Sequence, residues 1–385
     1  MFERLFDRRK IVLAGAVALL AGCSVVPKST APAPAPVQGP SSDVLPTDSA
    51  RHRIALLVPM TGENSNVGRS IANAATMALL DTDAKNLRVT NYDTSSGASS
   101  AAKRAIADGS TLFLGPLLSD NIPAVAAVAR PAGVPLISFS NDSTSAARDV
   151  FIMGNLPGKS IERTAKFALS KGITRFGALV PRGEYGQRAS DALMAVARKN
   201  GASVVAMESY DRSNTSVATA ARKLRDIGGL EAILIADGGR MSSRAAPILK
   251  PSGAANGPRI LGTELWSGEK AVNSTSSLSG AWFAAVADTR FGQFSKSYKR
   301  RFGDTPYRIA TLGYDSVLLA LRVARDWKPG RKFPTRKMLD KGGFLGLDGP
   351  FRFSKSGAIE RAFEVREVRS GGVTVVSPAP SRFDD

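Results

Sequence analysis

The sequence predicts an α/β protein built from two Rossmann-like lobes, each with a parallel sheet. Short apolar runs typical of buried strands alternate with amphipathic helical periods from residue 53 onwards. Strict alternation of this kind favours parallel sheets covered by helices. The alternation is interrupted near residue 155 and then starts again. The chain also has 385 residues, which is too many for one compact core and makes two lobes the default.

The first lobe is predicted from its opening strand, Ile54–Val58, and from the helix Val67–Asp81. The apolar residues of this helix recur at three- and four-residue spacing, which places them on one face. The alternation continues through the strand Leu87–Tyr92, the helix Ala98–Ala107, the strand Thr111–Leu114, the helix Ser119–Arg130 and the strand Pro135–Ser138.

The second lobe begins after a predicted crossing of the chain at Phe151–Asn155. Its predicted helices are Pro157–Lys171, Tyr185–Asn200, Ser216–Ile227 and Arg240–Leu249, and its strands are Arg175–Val180, Ser203–Tyr210, Ala232–Ala236 and Arg259–Gly262. Trp282–Val286 is the predicted second crossing, and the helices Arg290–Phe302 and Arg308–Trp327 then return to the first lobe. We expect lobe one at 51–155 and 287–342, and lobe two at 156–286 and 343–380, joined by a three-strand hinge.

An export signal and a linker precede the lobes. Residues 1–22 combine the charged start Arg8-Arg9-Lys10 with an apolar run, Ile11–Leu20, that is too short to span a bilayer. They lead into Leu20-Ala21-Gly22-Cys23, which resembles the bacterial lipobox, so Cys23 is expected to be acylated. Residues 23–50 form a Pro/Ala-rich linker that can extend over on the order of 80 Å. By the same resemblance, Ser24 indicates an anchor in the outer membrane, facing the periplasm.

The charge of the chain favours anionic surroundings. The formal charge is +19, of which the leader carries +2, so the mature chain keeps +17. Such a balance is typical of proteins that work near membrane surfaces or acidic glycans. The basic residues are scattered, few aromatic residues lie among them, and no nucleic-acid motif accompanies them. We therefore expect membrane contact through the lipid anchor and no nucleic-acid partner.

The best candidate for a binding site lies at the ends of two neighbouring strands in the first lobe. The strand Thr111–Leu114 is followed by a tight turn and by a helix that starts near Ser119. A helix start leaves N–H groups unpaired and carries a partial positive charge, so it can hold a small anion. The next strand, Pro135–Ser138, leads into the polar turn Ser140–Ser143. Because the carboxyl ends of parallel strands meet at one edge of the sheet, these turns predict a ligand crevice.

Several segments resemble a known family. IALLVPMTG at Ile54–Gly62, LGPLLS at Leu114–Ser119, VPLIS at Val134–Ser138 and EYG at Glu184–Gly186 are similar to the leucine-binding type of periplasmic binding protein (type I). The resemblance covers nearly all of the chain beyond residue 51. It implies two α/β lobes joined by a hinge, with the ligand between them. Within this group, the chain most resembles the lipoproteins called penicillin-binding protein activators.

The resemblance also implies a set of site residues. In amino-acid-binding members, the positions of Ser119 and of the turn Ser140–Asp142 hold the ligand carboxylate. The position of Tyr185 packs on the ligand, and the position of Glu264 pairs with the ligand ammonium. A carboxylate is well satisfied by hydroxyls and helix-start N–H groups, and an ammonium by a carboxylate in a dry cleft. The predicted ligand-binding residues are Ser119, Ser140, Asn141, Asp142, Tyr185 and Glu264.

Two features of this sequence depart from that pattern. Asp142 puts an acid where a ligand carboxylate would approach, and Asp237–Arg240 lacks the aromatic residue that relatives often place there. Ser119 and Ser140 are also compatible with ordinary helix capping, and Tyr185 with packing inside its lobe. A small polar ligand is therefore expected if the cleft binds one, but not necessarily an α-amino acid.

Catalysis is not expected. The single histidine, His52, lies at the end of the linker, where it cannot serve a Ser-His-Asp site. The sequence has no GxSxG elbow, no GxxxxGK[ST] loop and no cluster of metal ligands. Once Cys23 is acylated, no thiol remains for a disulfide, a nucleophile or a metal site. We predict no catalytic residue, no metal and no cofactor.

Two functions remain open from the sequence. The first is a non-catalytic envelope lipoprotein that activates a penicillin-binding protein, a peptidoglycan synthase. The alternative is the substrate-binding lipoprotein of an ABC importer for amino acids or related small polar ligands, with the permease as its partner. Ser24 and the long linker favour the first, because a receptor tethered to the outer membrane cannot easily reach an inner-membrane permease.

Overall fold

A computed structural model describes residues 50–250, 257–380 and 383 of the chain. The predicted export signal, the acylation site at Cys23 and all but the end of the linker lie outside these residues. Among the helices that are described, none is long and apolar enough to cross a membrane.

The first lobe contains a five-stranded parallel sheet. Its elements are β1 (His52–Val58), α1 (Ser65–Asp81), β2 (Leu87–Asp93), α2 (Ala98–Ala107), β3 (Leu112–Leu114), α3 (Ile122–Ala129), β4 (Leu136–Ser138) and β5 (Val150–Ile152). The strand order is β2-β1-β3-β4-β5. The strands β1, β3, β4 and β5 are apolar and almost wholly buried, as expected when helices cover both faces of a parallel sheet. α1 buries Ile71, Ala74, Ala75 and Ala78, which is the stripe that the sequence predicts.

The second lobe repeats the plan. Its elements up to the second crossing are α4 (Pro157–Leu169), β6 (Arg175–Pro181), α5 (Glu184–Lys199), β7 (Ser203–Tyr210), α6 (Asn214–Ile227), β8 (Ala232–Ile235), α7 (Gly239–Leu249), β9 (Arg259–Gly262), α8 (Lys270–Ser274) and β10 (Trp282–Ala285). The strands β7, β6, β8, β9 and β10 are neighbours in one sheet and run parallel. The prediction of two α/β lobes with parallel sheets is confirmed.

After β10 the chain returns to the first lobe and ends in β structure. The remaining elements are α9 (Thr289–Phe302), α10 (Ala310–Ala324), β11 (Phe344–Gly346), β12 (Gly349–Phe353), β13 (Ile359–Arg361), β14 (Glu364–Arg369) and β15 (Gly372–Ser377). α9 packs on α1 through Phe294 and Tyr298, which share a buried cluster with Met77. β14 and β15 extend the second sheet as antiparallel strands on the side of β10.

The third crossing differs from the prediction, which assigned all of 343–380 to lobe two. β11, β12 and β13 form a small antiparallel sheet, and Phe344, Phe351 and Phe353 belong to the hydrophobic core of the first lobe. The N–H of Ile152 in β5 also donates to the carbonyl of Gly357, at 2.8 Å. The chain therefore crosses to the second sheet at residues 362–363 and not near 342. Local patterns could not show this, because both hairpins have the same strand character.

Trp266 anchors the loop after β9. This side chain is 1% exposed, and its indole N–H lies 2.9 Å from both the carbonyl oxygen of Asp237 and the hydroxyl of Ser242. A Cβ at Gly262 would lie 2.3 Å from the indole ring, so only glycine allows this packing. The anchored loop places Glu264 at the edge that faces the first lobe.

Candidate ligand-binding cleft

A cavity of about 560 Å³ is lined by residues from both lobes and from the crossings between them. The first lobe contributes the loops that follow β1, β3 and β4, as the crevice prediction requires. The second lobe contributes the loops after β9 and β10. The lining is mainly apolar, with uncharged polar groups and three charged residues among it. The polar and charged lining residues are Asn64, Ser119, Ser140, Asn141, Asn155, Glu264, Ser267, Arg308, Thr311 and Asp348.

Ser119 lines the cavity, but it does not begin an α-helix. A short 3₁₀ turn occupies Ser119–Asn121, and α3 follows from Ile122. Pro123 removes one of the N–H groups that an open helix start would present. The Ser119 hydroxyl lies 3.3 Å from a carboxylate oxygen of Asp120. The anion seat predicted here is therefore weaker than a helix start alone would make it.

The turn after β4 is held by its own polar side chains. The Ser138 hydroxyl donates to the carbonyl of Pro116 at 2.8 Å, and it accepts from the N–H of Ser140 at 3.1 Å. The Ser140 hydroxyl in turn accepts from the N–H of Asp142, at 3.0 Å. These bonds place Ser140 and Asn141 in the cavity lining, with the proton of the Ser140 hydroxyl still available for a ligand.

Asp142 does not line the cavity, because its carboxylate is engaged by Thr144, Ser145 and Arg188. One carboxylate oxygen accepts from the N–H and the hydroxyl of Thr144, at 3.0 and 2.7 Å. The same oxygen lies 2.9 Å from a guanidinium nitrogen of Arg188 on α5. Burial opposes ionisation of Asp142, but the bonds from Thr144 and the charge of Arg188 outweigh it and lower the pKa of Asp142. Asp142 therefore bridges the two lobes as an anion.

Glu264 lines the cavity from the second lobe, and its carboxyl group is held from behind. One oxygen makes a short contact with the hydroxyl of Ser160, and the other lies 3.2 Å from the hydroxyl of Tyr185. Tyr185 also contacts the hydroxyl of Thr263, at 3.0 Å. Burial raises the pKa of Glu264, although the hydroxyls of Ser160 and Tyr185 act in the opposite direction. Tyr185 thus supports Glu264 and is not itself in the cavity lining.

Arg308 and Asp348 form a charged pair in the cavity wall that the sequence analysis missed. Arg308 precedes α10, and one guanidinium nitrogen lies 2.6 Å from a carboxylate oxygen of Asp348. A second nitrogen lies 3.6 Å from Asp288 at the second crossing. The hydroxyl of Thr311 lies 2.9 Å from the other oxygen of Asp348 and 3.0 Å from the carbonyl oxygen of Arg308, and it can donate its one proton to either. Arg308 and Asp348 are 40 positions apart in the sequence, so no local spacing signals the pair.

A buried acid lies directly behind this pair. Asp315 on α10 is 1% exposed, and its carboxyl accepts from the N–H of Leu347 at 2.8 Å. A Cβ at Gly346 would lie 2.2 Å from the carboxyl of Asp315, so glycine permits this approach. Burial, and then the nearby charge of Asp348, raise the pKa of Asp315 to about 7. The wall of the cleft is therefore a tightly packed charged cluster.

The structure thus brings four of the six predicted ligand-binding residues into one cavity lining, namely Ser119, Ser140, Asn141 and Glu264. Asp142 and Tyr185 stand next to it and hold other groups in place. The single histidine, His52, is buried in β1 and stacks on Trp327 with ring centroids 3.9 Å apart. Burial lowers the pKa of His52, although a backbone hydrogen bond acts against it. His52 is a core residue, remote from the cavity lining.

Comparison with known proteins identifies the family. A family model described as periplasmic binding protein matches residues 52–373. The chain belongs to the periplasmic binding protein family. The match begins in β1 and ends in β15, so it includes both sheets and every residue that lines the cavity. The resemblance to the leucine-binding type is confirmed. The resemblance to penicillin-binding protein activators stays a prediction.

Solved structures of other binding proteins share the fold. A protein from Rhodospirillum rubrum described as a branched-chain amino acid ABC transporter superposes with a TM-score of 0.74 and 19% identity, covering 85% of this chain and all of that one. A branched-chain amino acid binding protein from Streptococcus pneumoniae, solved with isoleucine, gives 0.59 and 19%, with coverage of 85% and 100%. A solute-binding protein from Rhodopseudomonas palustris, solved with 3,4-dihydroxybenzoic acid, gives 0.65 and 18%, with coverage of 87% and 98%.

A relative by sequence is an uncharacterised protein from Rickettsia prowazekii. The two are 26% identical over 173 residues, which is 44% of this chain. The match spans 46% of that protein's length. The chain therefore matches about half the length of this relative, and the match does not identify a ligand.

Proposed function

We propose that this protein is the substrate-binding protein of an ABC importer, binding a small polar ligand between its lobes and delivering it to a membrane permease. The observation that supports this best is the cavity itself. It combines polar groups from both lobes, and it lies where three chain crossings can act as a hinge. The relative from Rhodospirillum rubrum is described as an ABC transporter, and the one from Streptococcus pneumoniae as a transporter substrate-binding protein, which favours the same role.

The family match supports a location in the cell envelope and a ligand-binding role. In this proposal Ser119, Ser140, Asn141 and Glu264 contact the ligand, while Asp142 and Tyr185 orient the site. The residues that the structure describes contain no group of three or more His, Cys, Asp or Glu that could hold a metal ion. In this proposal, the ligand is bound by hydrogen bonds and apolar contacts with the cavity lining.

The test is ligand binding by the purified full-length protein, measured by titration calorimetry. The double variant Ser119→Ala with Glu264→Ala should abolish binding, because it removes polar contacts from both sides of the cavity. Ser274→Ala with Glu269→Ala changes the same residue types at exposed positions of the second lobe and should leave binding intact. Binding that survives the first double variant would contradict the proposed site.

Activation of a penicillin-binding protein is the second candidate function. It is supported by the predicted lipobox at Cys23, by Ser24 and by the Pro/Ala-rich linker. If it is correct, the protein raises the rate of a peptidoglycan synthase, and Ser119→Ala with Glu264→Ala leaves that stimulation intact. Charge reversal of the exposed Lys296 and Lys299 on α9 would then reduce it. If the protein binds a ligand but does not stimulate the synthase, only the importer function remains.

A further inference from the structure

The cavity wall also carries information about the charge of the ligand, an inference that rests on the proposed function. Three charged residues line the cavity: Glu264, Arg308 and Asp348. The helix start that could hold a carboxylate without a counter-ion is weakened by the 3₁₀ turn at Ser119–Asn121 and by Pro123. An ionic ligand would therefore need one of the three charged residues as an unmatched counter-ion, because a buried charge is costly unless it is paired. The charge of the ligand therefore depends on whether Glu264, Arg308 or Asp348 carries a charge that lacks a partner of opposite charge.

Arg308 is matched by carboxylates on two sides. Its guanidinium group lies 2.6 Å from Asp348 and 3.6 Å from Asp288. Its guanidinium carbon also lies 4.2 Å from the ring centroid of Phe291, so one face is covered. Asp348 is 1% exposed, and the Thr311 hydroxyl lies within hydrogen-bond reach of its second oxygen. The two terminal nitrogens of Arg308 make no hydrogen bond within the described residues, but the charge of Arg308 is matched by these carboxylates. An anionic ligand would therefore have to compete with Asp348 for Arg308.

Glu264 is matched by hydroxyl groups. The Ser160 hydroxyl lies within hydrogen-bond reach of both Glu264 and the carbonyl oxygen of Pro157, the latter at 3.0 Å. A hydroxyl has only one proton to donate. The carbonyl of Pro157 can only accept, so Ser160 must donate in that contact. If it does, the contact between Ser160 and Glu264 needs a protonated Glu264 carboxyl group as the donor. Glu264 then carries no charge to offer an ammonium group.

Apart from the Arg308–Asp348 pair, the groups that remain open in the lining are uncharged. The side-chain amides of Asn64 and Asn141 make no hydrogen bond within the part of the chain that the structure describes, and the Ser140 hydroxyl keeps its proton free. Each amide offers both a donor and an acceptor. The rest of the lining includes apolar side chains such as Leu117 and Phe139.

We propose that this cleft binds an uncharged polar molecule, one whose amide or hydroxyl groups bond to Asn64, Asn141 and Ser140 while an apolar face packs on Leu117 and Phe139. The cleft should then discriminate against amino acid zwitterions and free carboxylates. Such a ligand needs no counter-ion, so the Arg308–Asp348 pair stays intact when it binds.

The first experiment is a thermal-shift screen of the full-length protein against a metabolite library that contains neutral, anionic, cationic and zwitterionic compounds. Calorimetry then compares matched probes: leucine with N-acetylleucinamide, benzoate with benzamide, and glucosamine with N-acetylglucosamine. We expect the neutral member to bind at least about tenfold more tightly, since an unmatched buried charge is costly. Equal or tighter binding of the charged members would overturn the inference.

Two variants test whether charge matching is the cause. Asp348→Asn frees the Arg308 guanidinium, so it should shift the benzoate-to-benzamide affinity ratio towards benzoate by at least about tenfold. Asp326→Asn makes the same change in an exposed pair with Lys337 and should leave the ratio unchanged. If Asp348→Asn does not fold, Arg308→Gln serves instead and should shift the ratio towards the cationic glucosamine. A folded variant with an unchanged ratio would overturn the inference.

The outcomes separate this inference from the proposed function. Hits that are mostly charged would leave a substrate-binding protein in place and refute only the neutral ligand. No hit of any charge class, together with unchanged melting temperatures, would count against the substrate-binding function itself. Neutral hits that lose affinity in an Asn64→Ala, Asn141→Ala double variant would support both.

Discussion

The ion pair between Asp142 and Arg188 makes a testable prediction about lobe movement. Asp142 belongs to the first lobe and Arg188 to α5 of the second, so the pair holds the lobes in the described arrangement. Replacing Arg188 with glutamine removes the charge and shortens the side chain, but keeps it polar. We expect the ligand-free protein to shift towards arrangements in which the lobes are further apart.

The size of this shift can be estimated from the geometry. The two charged atoms are 2.9 Å apart, and the side chains are 11% and 22% exposed. The Coulomb attraction alone would be about 6 kcal/mol at an effective dielectric constant near 20. Desolvation offsets much of this attraction, and the same nitrogen of Arg188 also contacts Glu184, so we take a net stabilisation of about 2 kcal/mol for the ion pair. A loss of about 2 kcal/mol changes the ratio of the two arrangements roughly 30-fold.

The assay is a distance distribution measured by pulsed electron spin resonance. One label replaces Lys103 on α2 and the other replaces Arg222 on α6, so the measured distance spans the lobes. The single native cysteine, Cys23, would be replaced in this labelling background. Arg198→Gln is the matched control, since it removes the same charge from an exposed position on the same helix.

We expect Arg188→Gln to broaden the distribution towards longer distances and Arg198→Gln to leave it unchanged. Asp142→Asn should act like Arg188→Gln, and combining the two should add little, because they remove the same contact. Identical distributions for Arg188→Gln and Arg198→Gln would refute the reasoning. So would an additive effect in the double variant, which would mean that each side chain acts through other partners.

Three further predictions follow from other parts of the chain. Because the pKa of Asp315 is raised in the folded state, the free energy of unfolding falls as pH rises from about 4 through about 7. In urea unfolding at pH 5 and pH 8, Asp315→Asn should reduce the difference between the two unfolding free energies by on the order of 1–3 kcal/mol. An unchanged pH dependence would contradict this. Gly262→Ala should destabilise the protein by about 1–3 kcal/mol, because the added methyl group overpacks against Trp266. Gly292→Ala is the control, because its methyl group would meet no atom within 4 Å. Equal melting temperatures for the two variants would refute this prediction. Cys23→Ala should leave an unacylated precursor, detected by mass spectrometry and by loss of membrane partition; unchanged mass and partition would rule out lipidation.

The sequence allowed the fold to be predicted because its signals are local. A strand buried on both faces must be a continuous apolar run, as in β1, and a helix on a sheet must show an apolar stripe, as in α1. Polar turns at strand ends likewise mark the edge of a parallel sheet, which is why Ser119, Ser140 and Asn141 could be placed in the cleft. These features depend only on residues close together in the chain.

The groups that set the character of the cleft depend on contacts between distant residues. Arg308 meets Asp348, Asp142 meets Arg188, and Ser160 meets Glu264 across 104 positions. Side-chain periodicity shows which face of an element is buried in its lobe, but it does not show which distant residue a charged side chain contacts. The sequence therefore predicted which loops form the site, and only the tertiary structure showed which of their charges are already neutralised.

The third crossing shows the same division. The strands after residue 343 and the glycine turns between them depend on residues close together in the chain, because the pleat and the turns are local. Whether a hairpin packs on the first core or the second depends on which apolar surface is left uncovered. Phe344, Phe351 and Phe353 cover the first core, and the chain changes lobe only between Arg361 and Glu364. The sequence by itself determined the elements and their order, while packing in three dimensions decided where each late strand belongs.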